Sequence, residues 1–270
     1  TDVTRQVNES WVLTTTDQVL PEAALSAFDG LRDIVGETAV PRVFAGLGAV
    51  PGPDVDAPVA EPAQKAVEVI RDSSVRLTGS ASACGTIVTG SGFAIEPDLI
   101  VTNAHVVAGV EDLVVRVRPQ QSAQRATVVY FDPDVDIALV RTQKLQARPV
   151  RLARTSLESQ DPAVVAGFPR GERFEAASVR VRTRVTARGE SIYGETGVER
   201  DVYVLRGSVE QGMSGGALTD EFGEVFGMVF ASGFEDQATA YALTVDEVRA
   251  AIDAAGNADT RVANGSCELR

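Results

Sequence analysis

The sequence predicts an all-β fold: two six-stranded antiparallel β-barrels, preceded by a helical and linker segment and followed by a helix. From about residue 67, short runs rich in β-branched residues follow one another, separated by Gly, Asp and Pro, as in barrels and sandwiches. A break near residues 144–160 divides these runs into two sets. The sequence Thr244-Val-Asp-Glu247 has the pattern of a capping box and predicts the start of a terminal helix.

The regions before and after the barrels differ from them in composition. Apolar residues recur at helical spacing between residues 20 and 35 and predict one helix there. A stretch rich in Pro and Gly follows, which is typical of a linker. The predicted regions are 1–65 for the helix and linker, 66–270 for the barrel domain, about 66–147 and about 160–243 for its two barrels, and 244–270 for the last helix and tail.

Composition excludes several classes of function. The 270 residues carry a net charge of −13, and such an acidic chain repels the phosphate backbone of nucleic acids. One histidine and two distant cysteines make a metal site improbable, so neither metal nor cofactor is predicted. There is no apolar run of membrane-spanning length and no signal peptide. Because the chain starts with Thr1 rather than Met, it is interpreted as a piece of a longer protein.

The single histidine, His105, is the candidate general base. It follows the apolar run LIVTNA, so it lies where a strand ends and can present its side chain. The candidate partner is Asp136, at the start of the otherwise apolar run DIALV. Burial of an aspartate there costs hydration free energy, which a charged or hydrogen-bonding partner must offset. His105 is the natural partner. Asp132 and Asp134 flank Pro133 and are interpreted as turn residues.

Ser214 is the candidate nucleophile, in the run GMSGG. The glycines around it allow a tight turn and a close approach to a substrate. Such a turn can direct the main-chain amides of Gly212 and Ser214 at one point, where they would stabilise an oxyanion. Alone, the run could be an ordinary hairpin turn, and the upstream His105 and Asp136 favour the catalytic interpretation.

The order of these residues selects among serine hydrolases. The α/β-hydrolases use the order Ser, Asp, His, which fails here because no histidine follows Ser214. The subtilisin order is Asp, His, Ser, and no suitable Asp-bearing motif precedes His105. The order His, Asp, Ser is that of the chymotrypsin arrangement, in which the first barrel supplies His and Asp and the second supplies Ser.

The motifs TNAHVV, DVDIALV and GxSGG resemble the trypsin-like proteases of bacteria, including the HtrA relatives. The longer segments GSGFAIEPDLIVTNAHVVAGV, DVYVLRGSVEQG and GEVFGMVF, with Cys84 and Cys267, resemble the actinobacterial, membrane-anchored periplasmic proteases of the MarP family over about residues 66–270. The resemblance implies a serine endopeptidase on the periplasmic face of the inner membrane, linked to acid tolerance and to the processing of cell-wall proteins.

The same resemblance implies a disulfide between Cys84 and Cys267, and a membrane tether that precedes Thr1. It implies protein or peptide substrates, with a cell-wall hydrolase as one candidate, and the enzyme is expected to act as a monomer. The strand that follows the serine is expected to pair with the substrate main chain through Met228, Val229, Phe230, Ala231 and Ser232.

One residue departs from the family pattern. Met213 stands directly before the serine, where the family usually has Asp or Asn, and GGA stands where GGP is usual. The oxyanion donors are main-chain amides, so the chemistry does not depend on this side chain. The alternative function is a pseudoprotease, a two-barrel module that binds peptides without cleaving them, and Met213 is its only support in the sequence.

Overall fold

The computed structural model describes residues 52–143, 145, 147–232 and 238–267. The strands of these described residues are β1 (Ser74–Ala81), β2 (Thr86–Ala94), β3 (Leu99–Thr102), β4 (Asp112–Arg116), β5 (Gln124–Asp132), β6 (Ile137–Thr142), β7 (Arg151–Leu152), β8 (Pro162–Gly167), β9 (Glu175–Glu190), β10 (Thr196–Arg206), β11 (Ala217–Thr219), β12 (Glu224–Ser232) and β13 (Thr239–Thr244). Their helices are α1 (Glu61–Ile70), α2 (Ala104–Val107) and α3 (Val245–Ala255). The helix predicted between residues 20 and 35 lies outside the described residues.

The first six strands form a closed barrel in the order β1-β2-β3-β6-β5-β4. The barrel closes because β4 pairs antiparallel with β1, with Leu113 opposite Gly79. A cluster of buried aliphatic side chains fills it, including Val75, Leu77 and Val140. This barrel holds two of the three candidate catalytic residues, one after β3 and one before β6.

The remaining strands form a second sheet in the order β11-β8-β9-β10-β13-β12-β7. An additional antiparallel pairing of β11 with β12 closes six of these strands into a circuit. The all-β, two-barrel prediction is therefore confirmed. One detail differs from it, because β7 pairs with β12 in parallel, with Arg151 opposite Glu224.

Three buried clusters account for the packing of the two sheets. One lies within each barrel, and the third draws side chains from both, including Phe93 and Leu139 from the first barrel and Val204 and Leu243 from the second. This shared cluster lies between the barrels. Burial of apolar surface there stabilises the fold by about 25 cal/mol per Å² and fixes how the two sets of catalytic residues face each other.

The segment before the first barrel packs on the second sheet. Helix α1 begins at Glu61, with Pro62 in its first turn, where proline is tolerated because its missing N–H has no helical partner. Ala63 and Ala66 form a buried cluster with Val164 of β8. The predicted boundary between residues 65 and 66 thus falls inside this helix.

The chain ends in α3 and a tail. Helix α3 begins where the sequence predicted, but the predicted capping box is wrong, because no side chain bonds the cap. Glu247 instead accepts a hydrogen bond from the main-chain N–H of Asp201 in β10, at 2.8 Å. The tail then returns to the first barrel, where the N–H of Val262 donates to the carbonyl of Val128 at 3.0 Å. No helix among the described residues is long and apolar enough to cross a membrane.

Candidate active site

His105 lies in α2, one short turn after β3 ends. Asn103, at the helix N-cap, is extended with φ −76° and ψ 148°, and this backbone geometry swings the chain from strand into helix. The imidazole Nδ1 lies 2.7 Å from Oδ2 of Asp136, and the His105 main-chain N–H donates to Oδ1 at 2.9 Å. An ionised carboxylate only accepts hydrogen bonds, so Nδ1 carries the proton and Nε2 keeps its lone pair for base catalysis.

Asp136 is fully buried and has a left-handed backbone with φ +69°. A non-glycine residue in that region costs on the order of 1 kcal/mol and persists where its surroundings hold it. Here the Asp136 N–H donates to the carbonyl of Asp132 at 3.1 Å, and the side chain of Asn103 donates to the Asp136 carbonyl at 2.9 Å. The carboxylate of Asp132 accepts from the N–H groups of Asp134 and Val135, both at 3.0 Å, which is the turn role expected for Asp132.

Sequence reasoning missed Arg200, which contacts this turn from the second barrel. Arg200 is 2% exposed and lies on β10, and its guanidinium donates to the carbonyl of Asp134 through both Nε, at 2.8 Å, and Nη2. Its Nη2 also donates to the carbonyl of Glu190 at 2.7 Å. One signal could have found it: Arg200, Val202 and Val204 share one face of β10, and both valines are buried.

Ser214 lies on a tight turn between β10 and β11. Gly212 and Gly215 on either side of it have φ of +90° and +84°, which only glycine adopts at little cost. Space is also limiting, because a Cβ on Gly212 would approach the carbonyl oxygen of Phe168 to 2.6 Å. A Cβ on Gly215 would lie 2.1 Å from the carbonyl oxygen of Ser91. The glycine requirement inferred from the sequence therefore has two independent physical causes.

Ser91 of β2 is a second residue that sequence reasoning missed. It is fully buried, and its N–H donates to the carbonyl of Ser214 at 2.8 Å. Its hydroxyl donates to the carbonyl of Gly212 at 2.7 Å and accepts from the N–H of Phe168 at 2.8 Å. The hydroxyl of Thr102 donates to the Ser91 carbonyl at 2.7 Å, so the first barrel holds the nucleophile turn directly.

The other carbonyls of the turn are also directed into hydrogen bonds. The N–H of Arg170 donates to the carbonyl of Gln211 at 2.6 Å, and the N–H of Gly216 donates to the carbonyl of Met213 at 2.8 Å. Met213 itself is 3% exposed and belongs to the apolar cluster within the second barrel. Its side chain is thus packed in the core beside the nucleophile turn, an environment that suits an apolar residue.

With its carbonyls directed away, the turn leaves two main-chain donors. Among the main-chain hydrogen bonds described for this turn, none uses the N–H of Gly212 or of Ser214. The structure therefore brings together the histidine and the aspartate by direct bonds and places the serine turn against β2 through Ser91.

The predicted substrate strand is only partly open. Met228 of β12 is paired with Ala217 on one side and with Leu243 on the other. Val229 exchanges main-chain bonds at 2.8 Å with Gly215 and Gly216. Strand β11 begins at Ala217, so β12 extends beyond it from residue 230 onward. The side chains of residues 231 and 232 lie outside what the structure describes, as does the side chain of Cys84.

Comparison with known proteins places this site in a family context. The family described as trypsin-like peptidase domain matches residues 90–228, a span that contains His105, Asp136 and Ser214. The chain is 34% identical over 265 residues to the serine protease Rv3671c of Mycobacterium tuberculosis, which is 97% of this chain and 66% of that protein. The chain thus spans slightly less than two thirds of this curated relative.

Solved structures of the same mycobacterial protease are also similar to this chain. The crystal structure titled as its active form is 35% identical, with a TM-score of 0.78, and the match covers 82% of this chain and 97% of that one. The structure titled as its inactive form is also 35% identical, with a TM-score of 0.68 and coverage of 76% and 100%. These matches bear on the two barrels.

Proposed function

The chain belongs to the trypsin-like peptidase family, and from this premise we propose that it is a serine endopeptidase that cleaves proteins through an acyl-enzyme. Ser214 is the nucleophile, His105 the general base and acid, and Asp136 the residue that orients His105. The observation that carries the proposal is the pairing of both Asp136 carboxylate oxygens with His105.

The proposed reaction follows from the protonation state of this pair. The Ser214 Oγ attacks the peptide carbonyl carbon while its proton passes to Nε2 of His105, and Asp136 stabilises the resulting imidazolium. The N–H groups of Gly212 and Ser214 bind the oxyanion, an effect worth about 3–4 kcal/mol for a donor of this kind. His105 then protonates the leaving amine as the C–N bond breaks. Water, deprotonated by His105, attacks the ester carbonyl, the bond to Oγ breaks, and His105 returns the proton to Ser214.

The substrate is proposed to bind as an added antiparallel strand. Of the predicted set Met228–Ser232, the pairing described above occupies both edges of Met228 and Val229. This leaves residues 230–232 to pair with the main chain of the substrate, next to the nucleophile turn. Main-chain pairing supplies affinity without sequence preference, so specificity would come from side-chain pockets beside it.

The finer parts of the proposal rest on family resemblance. They are a periplasmic location, a tether to the inner membrane outside this chain, cell-wall protein substrates, a role in acid tolerance and monomeric action. A disulfide between Cys84 and Cys267 belongs to the same proposal. It is supported by the disulfide-bonded state of Cys267 and by the presence of only one other cysteine in the chain.

The test is reaction with a fluorophosphonate probe, which labels only an activated serine, together with cleavage of an unfolded protein substrate. Wild type should be labelled and should cleave, whereas Ser214→Ala should do neither while keeping its circular dichroism spectrum. Ser122→Ala, at an exposed serine before β5, is the matched control and should behave as wild type. A wild-type protein that binds peptides but is neither labelled nor active would instead be a pseudoprotease.

A further inference from the structure

Arg200 is the buried charge that the proposed mechanism does not use. Its side chain points toward the interior of the molecule on the same face of β10 as Val202 and Val204. A guanidinium removed from water loses its hydration free energy, and hydrogen bonds and opposite charges must offset that loss. Where those compensating groups lie therefore indicates what Arg200 does.

Every described hydrogen bond of Arg200 goes to main-chain carbonyls at the two ends of a junction between the barrels. Asp134, the acceptor of two of them, belongs to the first barrel and lies two residues before Asp136. Glu190, the third acceptor, is the last residue of β9 in the second sheet. Arg200 thus connects the turn that carries Asp136 to the β9–β10 hairpin.

The surrounding charges are almost all negative. The carboxylates that interact electrostatically with Arg200 are those of Asp136, Asp134, Asp132 and Glu247. Burial lowers the pKa of the Arg200 guanidinium, and these carboxylates oppose that shift. Asp136 is fully buried, and the positive charge of Arg200 interacts electrostatically with its carboxylate.

The turn needs such support because its backbone is strained. Asp136 has φ +69°. Bonds to Asp132 and Asn103 fix its N–H and carbonyl, the Asp132 carboxylate accepts from the N–H groups of the two preceding residues, and Arg200 binds the carbonyl of Asp134. We propose that Arg200 is a positioning residue for the catalytic pair: it holds the carbonyl of Asp134 across the barrel interface so that Asp136 presents both oxygens to His105. This inference rests on the proposed function, since it assigns a role relative to His105 and Asp136.

The single histidine of the chain makes a direct test possible. In ¹⁵N-labelled protein the imidazole Nδ1–H gives one signal, which reports the hydrogen bond to Asp136 whether or not the enzyme is active. We compare wild type with Arg200→Met, which removes the donors and the charge, and with Arg200→Lys, which keeps the charge but not the forked donors. Arg249→Met is the control, because Arg249 also donates to main-chain carbonyls, those of Leu152 and Ala153.

In Arg200→Met the Nδ1–H signal should shift and exchange faster with water. The kcat should fall by about 10- to 100-fold, the scale of a small misplacement of catalytic groups, while KM stays near the wild-type value. Arg200→Lys should be intermediate in both measurements, and Arg249→Met should match wild type in both. A merely structural arginine would change stability without this specific change in the histidine signal.

Two results would overturn the proposal. One is a folded Arg200→Met protein with the wild-type imidazole signal and wild-type kcat. The other, which decides the matter if Arg200→Met does not fold, is an Arg200→Lys protein that equals wild type in both measurements. Failure of the proposed function would give a different result from failure of this proposal. If the chain is not a serine protease, Ser214→Ala would still cleave or wild type would not be labelled by the probe. The imidazole signal would nevertheless change in the Arg200 variants.

Discussion

Ser91 occupies a position from which one small side chain controls several peptide groups of the nucleophile turn. Its N–H and hydroxyl bond the carbonyls of Ser214 and Gly212. Each bond fixes the plane of the peptide that follows, and the hydroxyl also receives the N–H of Phe168. Because these bonds come from the first barrel, the peptides on both sides of the one that carries the Ser214 N–H depend on how the barrels meet.

Replacing Ser91 with alanine should therefore impair catalysis more than binding. The Gly212 carbonyl and the Phe168 N–H would lose their partner, and the peptide between Gly212 and Met213 would keep only the bond from its N–H to the carbonyl of Glu210, at 3.1 Å. We expect kcat to fall by about 10-fold or more, less than the about 10²- to 10³-fold loss for removal of an oxyanion donor itself, with little change in KM. Steady-state kinetics on a peptide substrate provides the measurement.

A matched control separates this effect from general loss of a buried hydroxyl. Ser74, 1% exposed, donates to the carbonyl of Ile70 at 3.0 Å, away from the nucleophile turn. Ser74→Ala should lose about 1 kcal/mol of unfolding free energy with an unchanged kcat. If Ser91→Ala keeps the wild-type kcat, the turn holds its shape without the Ser91 hydroxyl, and the role given to that hydroxyl is refuted.

The sequence predicted residues whose chemistry is conspicuous and missed those that act through position. His105, Asp136 and Ser214 stand out together, because a lone histidine, an aspartate among apolar residues and the serine of GMSGG follow in the order of the chymotrypsin arrangement. Ser91 lies between two glycines and Arg200 lies in an ordinary strand. Their roles depend on contacts 121 and 66 residues away in the chain, which no local pattern encodes.

The β9–β10 hairpin is the element that joins several of these contacts. Its outer face carries a polar network in which Asp201 accepts hydrogen bonds from the hydroxyl of Thr186 at 2.6 Å and from Arg184 at 2.9 Å. Arg184 also bonds Asp246 of α3 at 3.1 Å. The bonds from Thr186 and Arg184 lower the pKa of the Asp201 carboxyl below its ordinary value of 3.8.

This lowered pKa predicts an acid dependence. A carboxyl whose folded pKa is depressed contributes stability that is fully present above its unfolded pKa, near 3.8, and lost as pH falls through the folded pKa. Asp201→Asn should therefore cost up to about 1 kcal/mol at neutral pH, since the side chain is partly exposed, and the variant should have no cost below the folded pKa. The measurement is urea unfolding of both proteins from pH 7 to pH 2.

Asp253→Asn on α3, an exposed residue, serves as the comparison and should show no such trend. A cost for Asp201→Asn that stays constant down to pH 2 would mean that the lost interaction is not electrostatic. A cost that grows on acidification would contradict the sign derived from the lowered pKa.

Elements were predicted well where a pattern is periodic and less well where partners are remote. The strand-rich runs predicted the barrels, because alternating burial fixes strands locally. The parallel strand β7 escaped notice because it has only two residues. The capping box is absent for a physical reason. The Glu247 carboxylate accepts from the N–H of Asp201, a strand residue 46 positions away, instead of from the N-cap N–H of its own helix.

At the scale of the whole molecule, the C-terminal tail crosses from the second barrel back to the first. The side chain of Asn264 donates to the carbonyls of Val107 and Val110 at 2.6 and 2.8 Å, and the N–H of Gly109 donates to the Asn264 carbonyl at 3.0 Å. These residues directly follow or end α2, the helix that contains His105. The tail therefore braces one catalytic element from outside the barrels, three residues before Cys267.

The brace and the proposed disulfide should act together. Loss of the bond opens a loop of about 180 residues and costs up to about 5 kcal/mol in the chain-entropy model, whereas Asn264→Ala strands two buried carbonyls at about 1–3 kcal/mol. If the disulfide is what keeps the tail docked, Asn264→Ala should cost less in Cys84→Ser than in wild type, with a coupling of about 0.5 kcal/mol or more. Guanidinium unfolding of wild type, the two single variants and the double variant measures this coupling. As a control, Asn257→Ala, at an exposed asparagine of the same tail, should change the unfolding free energy little with or without the Cys84 substitution. Equal costs for Asn264→Ala with and without the bond would mean that the tail stays docked by its hydrogen bonds alone, and that the disulfide does not brace α2.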